Sequence, residues 1–149
     1  MAGFTPGCGP NLEWSAVETM VRTSFPEVEQ ISTDSLAALL ADSTRAVTLL
    51  DVRTAEEYAV SRIPGAIHVD PDAVELPAEA TGLLVAYCSV GYRSSQLAER
   101  LETEARIVNL EGSIFRWANE GRPVEGSGGK VHTYDRTWGR LLKPELRAD

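Results

Sequence analysis

The chain has 149 residues, 43% of them apolar and 24% charged, a composition that buries a core and excludes a disordered or collagen-like polymer. Its net charge of −8 is unevenly placed: residues 1–105 hold six Arg and no Lys against sixteen acids, residues 106–149 eight basic residues against six acids. An acidic body opposes non-specific binding to nucleic acid or to an anionic membrane, and two cysteines eighty positions apart provide neither zinc spacing nor a dense disulfide framework.

Residues 1–10 are rich in Gly and Pro and predict a flexible lead, without the basic and apolar regions of a secretory signal. Sparse cysteine usage suits a reducing compartment, so a cytoplasmic location is expected. The longest apolar runs, such as Leu83–Tyr87, are too short to cross a bilayer. Residues 12–24 read as a helix, with Trp14, Val17, Met20, Val21 and Phe25 at helical spacing and Pro26 as its stop. Residues 28–31 predict a first strand. Ser32 then caps a helix with Leu36, Leu39 and Leu40 on its buried stripe, ending near Asp42. Residues 47–51 (Val-Thr-Leu-Leu-Asp) predict a central strand buried on both faces.

Thr54-Ala-Glu-Glu57 is a capping box opening a short helix to about Val60, with a Pro64-Gly65 turn and a strand at 66–69 behind it. Residues 83–87 form a strand and residues 94–104 a helix whose Leu97, Ala98, Leu101 and Ala105 share a face. Residues 107–110 form the last strand, and Ser113 caps a helix closed by Gly121 and Pro123. Strands alternating with helices predict an α/β fold, a central parallel five-stranded sheet with helices on both faces, whose strand C-terminal ends share one ligand-binding edge. Residues 1–27 would be a lead and helix packing on the domain, 28–124 the domain itself, and 125–149 a tail docking back on it. In that tail Trp138, Leu141 and Leu142 fall on one helical face before Pro144.

The chemically informative segment runs from the strand at 83–87 through Cys88-Ser-Val-Gly-Tyr-Arg93 into the following helix. Gly91 allows a turn that a side chain would resist. Amides in such a junction make an anion nest, the helix N-terminus adds partial positive charge, and Arg93 adds a full one. A thiol there would be held as thiolate, open to solvent, and would act as a nucleophile without a neighbouring base. Against this stands the ordinary reading of a cysteine in an apolar strand, a small buried hydrophobe.

This loop, with Leu49-Leu-Asp-Val-Arg53, Glu56-Glu57-Tyr58, Ile63-Pro-Gly-Ala66 and Glu111-Gly-Ser through Trp117 to Gly121-Arg-Pro-Val124, resembles the single-domain rhodaneses over residues 28–124. The resemblance implies a rhodanese-like fold and a sulfurtransferase. Cys88 would take a sulfane sulfur from a donor such as thiosulfate, or from a protein persulfide, and pass it to cyanide or a thiol. It implies no metal and no organic cofactor. Six residues from Cys88 to Arg93 inclusive are one fewer than in the related phosphatases, a ring sized for sulfur rather than phosphate. Ser89 and Val90 stand where the thiosulfate enzymes carry basic residues, which leaves the donor open.

Within this reading Cys88 is the catalytic residue, and Ser89, Val90, Gly91, Tyr92 and Arg93 bind the substrate through ring amides and the guanidinium. Asp51 and Arg53 support the site, Arg53 pairing with Glu56 or Glu57 and Asp51 fixing nearby amides. Ser94 and Ser95 cap the helix, with a hydroxyl contact to the persulfide as the lesser option. His68 and His132 read as structural or surface residues, Trp14, Trp117 and Trp138 as packing residues, and Cys8 as an idle thiol rather than a resolving partner of Cys88. Two other readings remain: a non-catalytic persulfide carrier or interaction module, and a phosphate or arsenate enzyme on the same ring.

Overall fold

The computed structural model describes residues 13–148. Five strands form one sheet: β1 (Gln30–Ile31), β2 (Val47–Asp51), β3 (Ile67–His68), β4 (Leu83–Tyr87) and β5 (Ile107–Leu110), in the order β1-β5-β4-β2-β3. Every pair is parallel, as the α/β alternation predicts. β4 is central, its register running from Val47 opposite Leu83 to Asp51 opposite Tyr87 on one side and from Leu84 opposite Ile107 to Ala86 opposite Asn109 on the other. After β3 at one edge the chain crosses back over β2 to β4. The C-terminal ends of β2 and β4 therefore flank a switch in strand order, the place where open α/β sheets hold ligands.

Five helices cover the sheet: α1 (Trp14–Ser24), α2 (Thr33–Ala41), α3 (Ala55–Val60), α4 (Tyr92–Arg100) and α5 (Ser113–Asn119). The two-residue period of the strands divides the core in two. Leu49, Val85 and Tyr87 pack with Val17, Leu36, Ile114 and Trp117, under α1, α2 and α5. Leu50, Leu84 and Ala86 pack with Leu97 of α4 and with Leu101 just after it on the opposite face. Helix starts follow local chemistry. Ser32 Oγ accepts from Ser35 N at 3.1 Å, and the Thr54–Glu57 capping box is closed from both sides.

Some boundaries differ from the sequence expectation. β1 holds only residues 30–31 of the expected 28–31, at the sheet edge where ladder partners exist on one side alone. α4 begins at Tyr92 rather than Ser94, because Gly91 at φ 113° turns the chain directly into it, and it ends at Arg100 rather than near 104. Residues 138–141 form a 3-10 turn instead of an α-helix.

The C-terminal segment shares the sheet's core. Val131 and Leu142 are fully buried with the α5-side residues. Asn119 holds the segment to α5, its Nδ2 donating to the Leu141 carbonyl at 2.7 Å and its Oδ1 accepting from Lys143 N at 2.9 Å. At the other end of the chain, α1 is tied to the domain by Arg22–Glu111 at 2.7 Å and by Arg116, which pairs with Glu18 and lies 4.7 Å from the Trp14 ring centre. The lead and Cys8 lie outside the described residues. No helix among those described is long and apolar enough to cross a membrane.

Candidate active site

β4 ends at Tyr87, and Cys88 is the next residue. Its backbone is pinned from below by the start of α5: Ser113 Oγ accepts from Cys88 N at 3.2 Å, Ile114 N donates to the Cys88 carbonyl at 3.1 Å, and Phe115 N donates to the Ser89 carbonyl at 3.1 Å. Ser113 holds this position at φ 49°, in the left-handed region, with its hydroxyl donating to the Leu110 carbonyl at 2.9 Å. Such strain persists where surrounding bonds over-determine it. Ser113 is thus the first residue of α5 and a clamp on the loop; Gly112, not Ser113, occupies the cap position.

The sulfur sits against the first turn of α4. Gly91 N–H donates to Cys88 Sγ at 3.2 Å, and Ser94 Oγ lies 3.4 Å from it. The Ser94 hydroxyl has one proton and a second acceptor, Asn109 Oδ1 at 2.6 Å, while Asn109 Nδ2 donates to Gln30 Oε1 at 2.7 Å. A polar chain therefore runs from the sulfur across the end of β5 to β1. Ser94 is not a helix cap, as the sequence suggested, because α4 begins two residues earlier and its third position faces the loop. Ser95 also lies inside α4 rather than at its cap. Gly91 is required on two counts: its φ is left-handed, and a Cβ there would stand 3.1 Å from Asn109 Nδ2.

Arg93 forms a two-pronged ion pair with Glu57, Nη1–Oε1 at 2.7 Å and Nη2–Oε2 at 3.0 Å, and its Nη2 also donates to Ser89 Oγ at 3.0 Å. Burial alone would raise the Glu57 carboxyl. The Arg93 hydrogen bonds and charge, with the Thr54 amide and hydroxyl, outweigh it and bring the pKa down to about 2. Arg93 is raised in turn, burial being outweighed by Glu57 and by the nearby Cys88 and Tyr134. The guanidinium lies 4.8 Å from the Tyr134 ring centre, a cation–π arrangement.

Above the loop lies a cavity of ≈ 370 Å³. Cys88, Ser89 and Arg93 form its polar floor, and Met20, Val90, Tyr92, Tyr134 and Trp138 its walls. Cys88 is 1% exposed, which corrects the expectation of a sulfur open to solvent. The sulfur is packed inward against the Gly91 amide and the Ser94 hydroxyl, in a loop whose Ser89 and Val90 are buried as well. Cys88 nevertheless belongs to the lining of the cavity.

Asp51 and Arg53 lie fully buried at the end of β2. Arg53 pairs with Asp51 at 2.6 and 2.9 Å and donates to the Ser61 carbonyl at 2.6 Å. This corrects the expected pairing of Arg53 with Glu56 or Glu57; Glu57 turns instead to Arg93. Asp51 also accepts from the Tyr87 hydroxyl at 2.7 Å, and that hydroxyl accepts from Ile63 N at 3.1 Å. The pair braces the residue before Cys88 without reaching the cavity. His68 Nε2 bonds the Arg53 carbonyl at 2.7 Å.

The expected loop residues Cys88, Ser89, Val90, Tyr92 and Arg93 thus all line one space, with Gly91 supplying the amide at the sulfur. The sequence reading missed the link of Glu57 to Arg93, the Asn109 relay, and the walls Met20 and Tyr134, and it took Trp138 as packing alone. Asn109 carried a signal, a polar side chain in the otherwise apolar Ile107-Val-Asn-Leu110 strand, which is buried throughout. Tyr134 carried none.

The rhodanese-like domain model matches residues 32–120. A sulfurtransferase from Allochromatium vinosum is 38% identical over 104 residues, covering 65% of this chain and 94% of that one. A putative sulfurtransferase, YtwF, from Bacillus subtilis is 30% identical over 102 residues, covering 65% and 97%. Among solved structures, a rhodanese-like domain protein from Staphylococcus aureus superposes with a TM-score of 0.56 at 31% identity, covering 67% of this chain and 99% of that one. With its parallel sheet and its cysteine at the end of the central strand, the chain belongs to the rhodanese-like domain family.

Proposed function

We propose that the chain is a sulfurtransferase that carries sulfane sulfur on Cys88. The observation that supports this best is the placement of Cys88: its Sγ accepts from the Gly91 amide and contacts Ser94 at the positive end of α4, and the residue lines a cavity large enough for a donor. The thiolate is the form of a cysteine that attacks. In the first half-reaction the Cys88 thiolate attacks the donor's outer sulfur. The bond between that sulfur and the rest of the donor breaks, and its electron pair departs with the leaving group. In the second, an acceptor thiolate attacks the outer sulfur of the Cys88 persulfide and the Cys88 thiolate leaves. Cyanide in the acceptor's place yields thiocyanate. The Gly91 amide donates to the sulfur through both steps.

The phosphate reading is disfavoured by Arg93, which lines the cavity with its charge already met by the two-pronged pair with Glu57. The test is incubation with benzenethiosulfonate and, separately, thiosulfate, followed by intact-mass measurement. One added sulfur atom, absent in Cys88→Ala and removed by cyanide with thiocyanate release, is the expected result. A folded protein that gains no sulfur from either donor, yet cleaves an aryl phosphate, overturns the proposal.

A further inference from the structure

Each feature of the cavity around Cys88 bears on what kind of donor fits it. Its walls are Met20, Val90, Tyr92, Tyr134 and Trp138, a thioether, an aliphatic group and three aromatic rings. Three of these come from outside the stretch that the family model covers: Met20 from α1, and Tyr134 and Trp138 from the C-terminal segment. Among the described residues Arg93 is the one cation lining the cavity, and its charge is compensated by the two-pronged pair with Glu57 and covered by the Tyr134 ring. Tyr134 itself sits at φ 70°, a conformation that a bulky residue adopts at a cost, and its amide is held by His132 Nδ1 at 3.0 Å.

A small inorganic dianion would leave water in this space while giving up the water that solvates its charge, with no uncompensated cation in return. An organic group would displace that water and pack on the rings. At ≈ 370 Å³ the space lies at the lower end of the range of about 300–1,000 Å³ that encloses small organic ligands.

We infer that this cavity selects an organic sulfane-sulfur donor bearing an apolar substituent, an aryl or alkyl hydropersulfide, over thiosulfate. The inference rests on the sulfur-transfer reading and names the substrate class of that same site. The step balances without an oxidant: Cys88–S⁻ attacks the outer sulfur of R–S–SH, the S–S bond breaks, and Cys88–S–SH and R–S⁻ result. R rests against Trp138, Tyr134 and Met20, while the outer sulfur passes to Cys88 Sγ beside the Gly91 amide.

Thiosulfonates test this with stable reagents, since R–SO₂–S⁻ transfers its outer sulfur in the same way and releases R–SO₂⁻. The rate of Cys88 persulfidation of the full chain, read by intact mass, is compared for benzenethiosulfonate, methanethiosulfonate and thiosulfate. The same ratios for free cysteine correct for leaving-group chemistry. After that correction benzenethiosulfonate should exceed methanethiosulfonate by at least about tenfold, the scale on which apolar pockets discriminate added carbon, with thiosulfate slowest. Trp138→Ala and Tyr134→Ala should each lower the phenyl-to-methyl ratio. Tyr134 is 49% exposed, so its variant remains a test should Trp138→Ala fail to fold. A corrected ratio near one, thiosulfate as the fastest donor, or a ratio unmoved in the folded variants would overturn the inference while leaving sulfur transfer intact. No adduct from any donor would instead remove the sulfur-transfer reading, and this inference with it.

Discussion

Replacing Glu57 with Gln removes one charge and turns the acceptor facing Arg93 Nη2 into a donor. The amide oxygen can still accept the Thr54 capping bonds, because the box tolerates Gln, but Arg93 loses its counter-charge. The Glu57 side chain is 2% exposed and that of Arg93 20%. Removing one partner of a buried pair costs about 3–5 kcal/mol, and water reaching Arg93 reduces this to about 2–3 kcal/mol. Ionisation gives a second measure: lowering the carboxyl from 4.5 to about 2 corresponds to about 3 kcal/mol of preference for the ionised form, before discounting for solvent. Because the folded value lies below the unfolded one, this stability is present above about pH 4.5 and is lost as pH falls towards about 2. Urea unfolding at several pH values tests both measures. Near pH 7 the wild type should exceed Glu57→Gln by about 2–3 kcal/mol, equivalent to about 5–10 °C in Tm. The gap should narrow below about pH 4.5, where the carboxyl of the unfolded chain gains a proton that the native one refuses until about pH 2. A gap that stays constant down to about pH 3, or one under about 0.5 kcal/mol at neutrality, would refute the assigned pairing.

Gly91→Ala should cost about 1–3 kcal/mol in urea unfolding, since φ 113° is left-handed and the new methyl would stand 3.1 Å from Asn109 Nδ2; a wild-type midpoint would show that the turn relaxes freely. Tyr87→Phe leaves Asp51 and the Ile63 amide short of a buried partner, for a loss of about 1–3 kcal/mol by the same measurement, and no loss would mean that water replaces the hydroxyl. Leu142→Ala removes a fully buried side chain from the α5-side core and should cost about 2–5 kcal/mol in calorimetric or urea unfolding. A near-neutral result would show that the C-terminal segment lies on the domain without stabilising it.

Much of the fold was legible because its signals are local. The Thr54–Glu57 box, the unbroken apolar runs at 47–51 and 83–87, and the stripe of Leu97, Ala98 and Leu101 each fix an element from neighbouring residues alone. Cys88 and its loop were legible because glycine, helix start and arginine lie within six positions. Pairings across the sheet were not. Glu57 meets Arg93 thirty-six positions away, and Arg53 instead closes on Asp51 two residues back. Both acids lie near Arg53 in sequence, and only the register of β2 against β4 decides which guanidinium each one meets. The burial of Cys88 was likewise hidden, because it depends on how the loop folds back on the first turn of α4, which no pattern of residue types encodes.

The grip of α5 on the loop has a practical consequence for anyone who would transplant this chemistry. With the carbonyls of Cys88 and Ser89 and the Cys88 amide already engaged by residues 113–115, the cysteine segment owes its shape to a stretch of chain more than twenty positions downstream. Grafted by itself onto a foreign sheet, the hexapeptide would arrive without its mould. A working transplant has to move 88–94 and 109–115 as a single two-piece cassette.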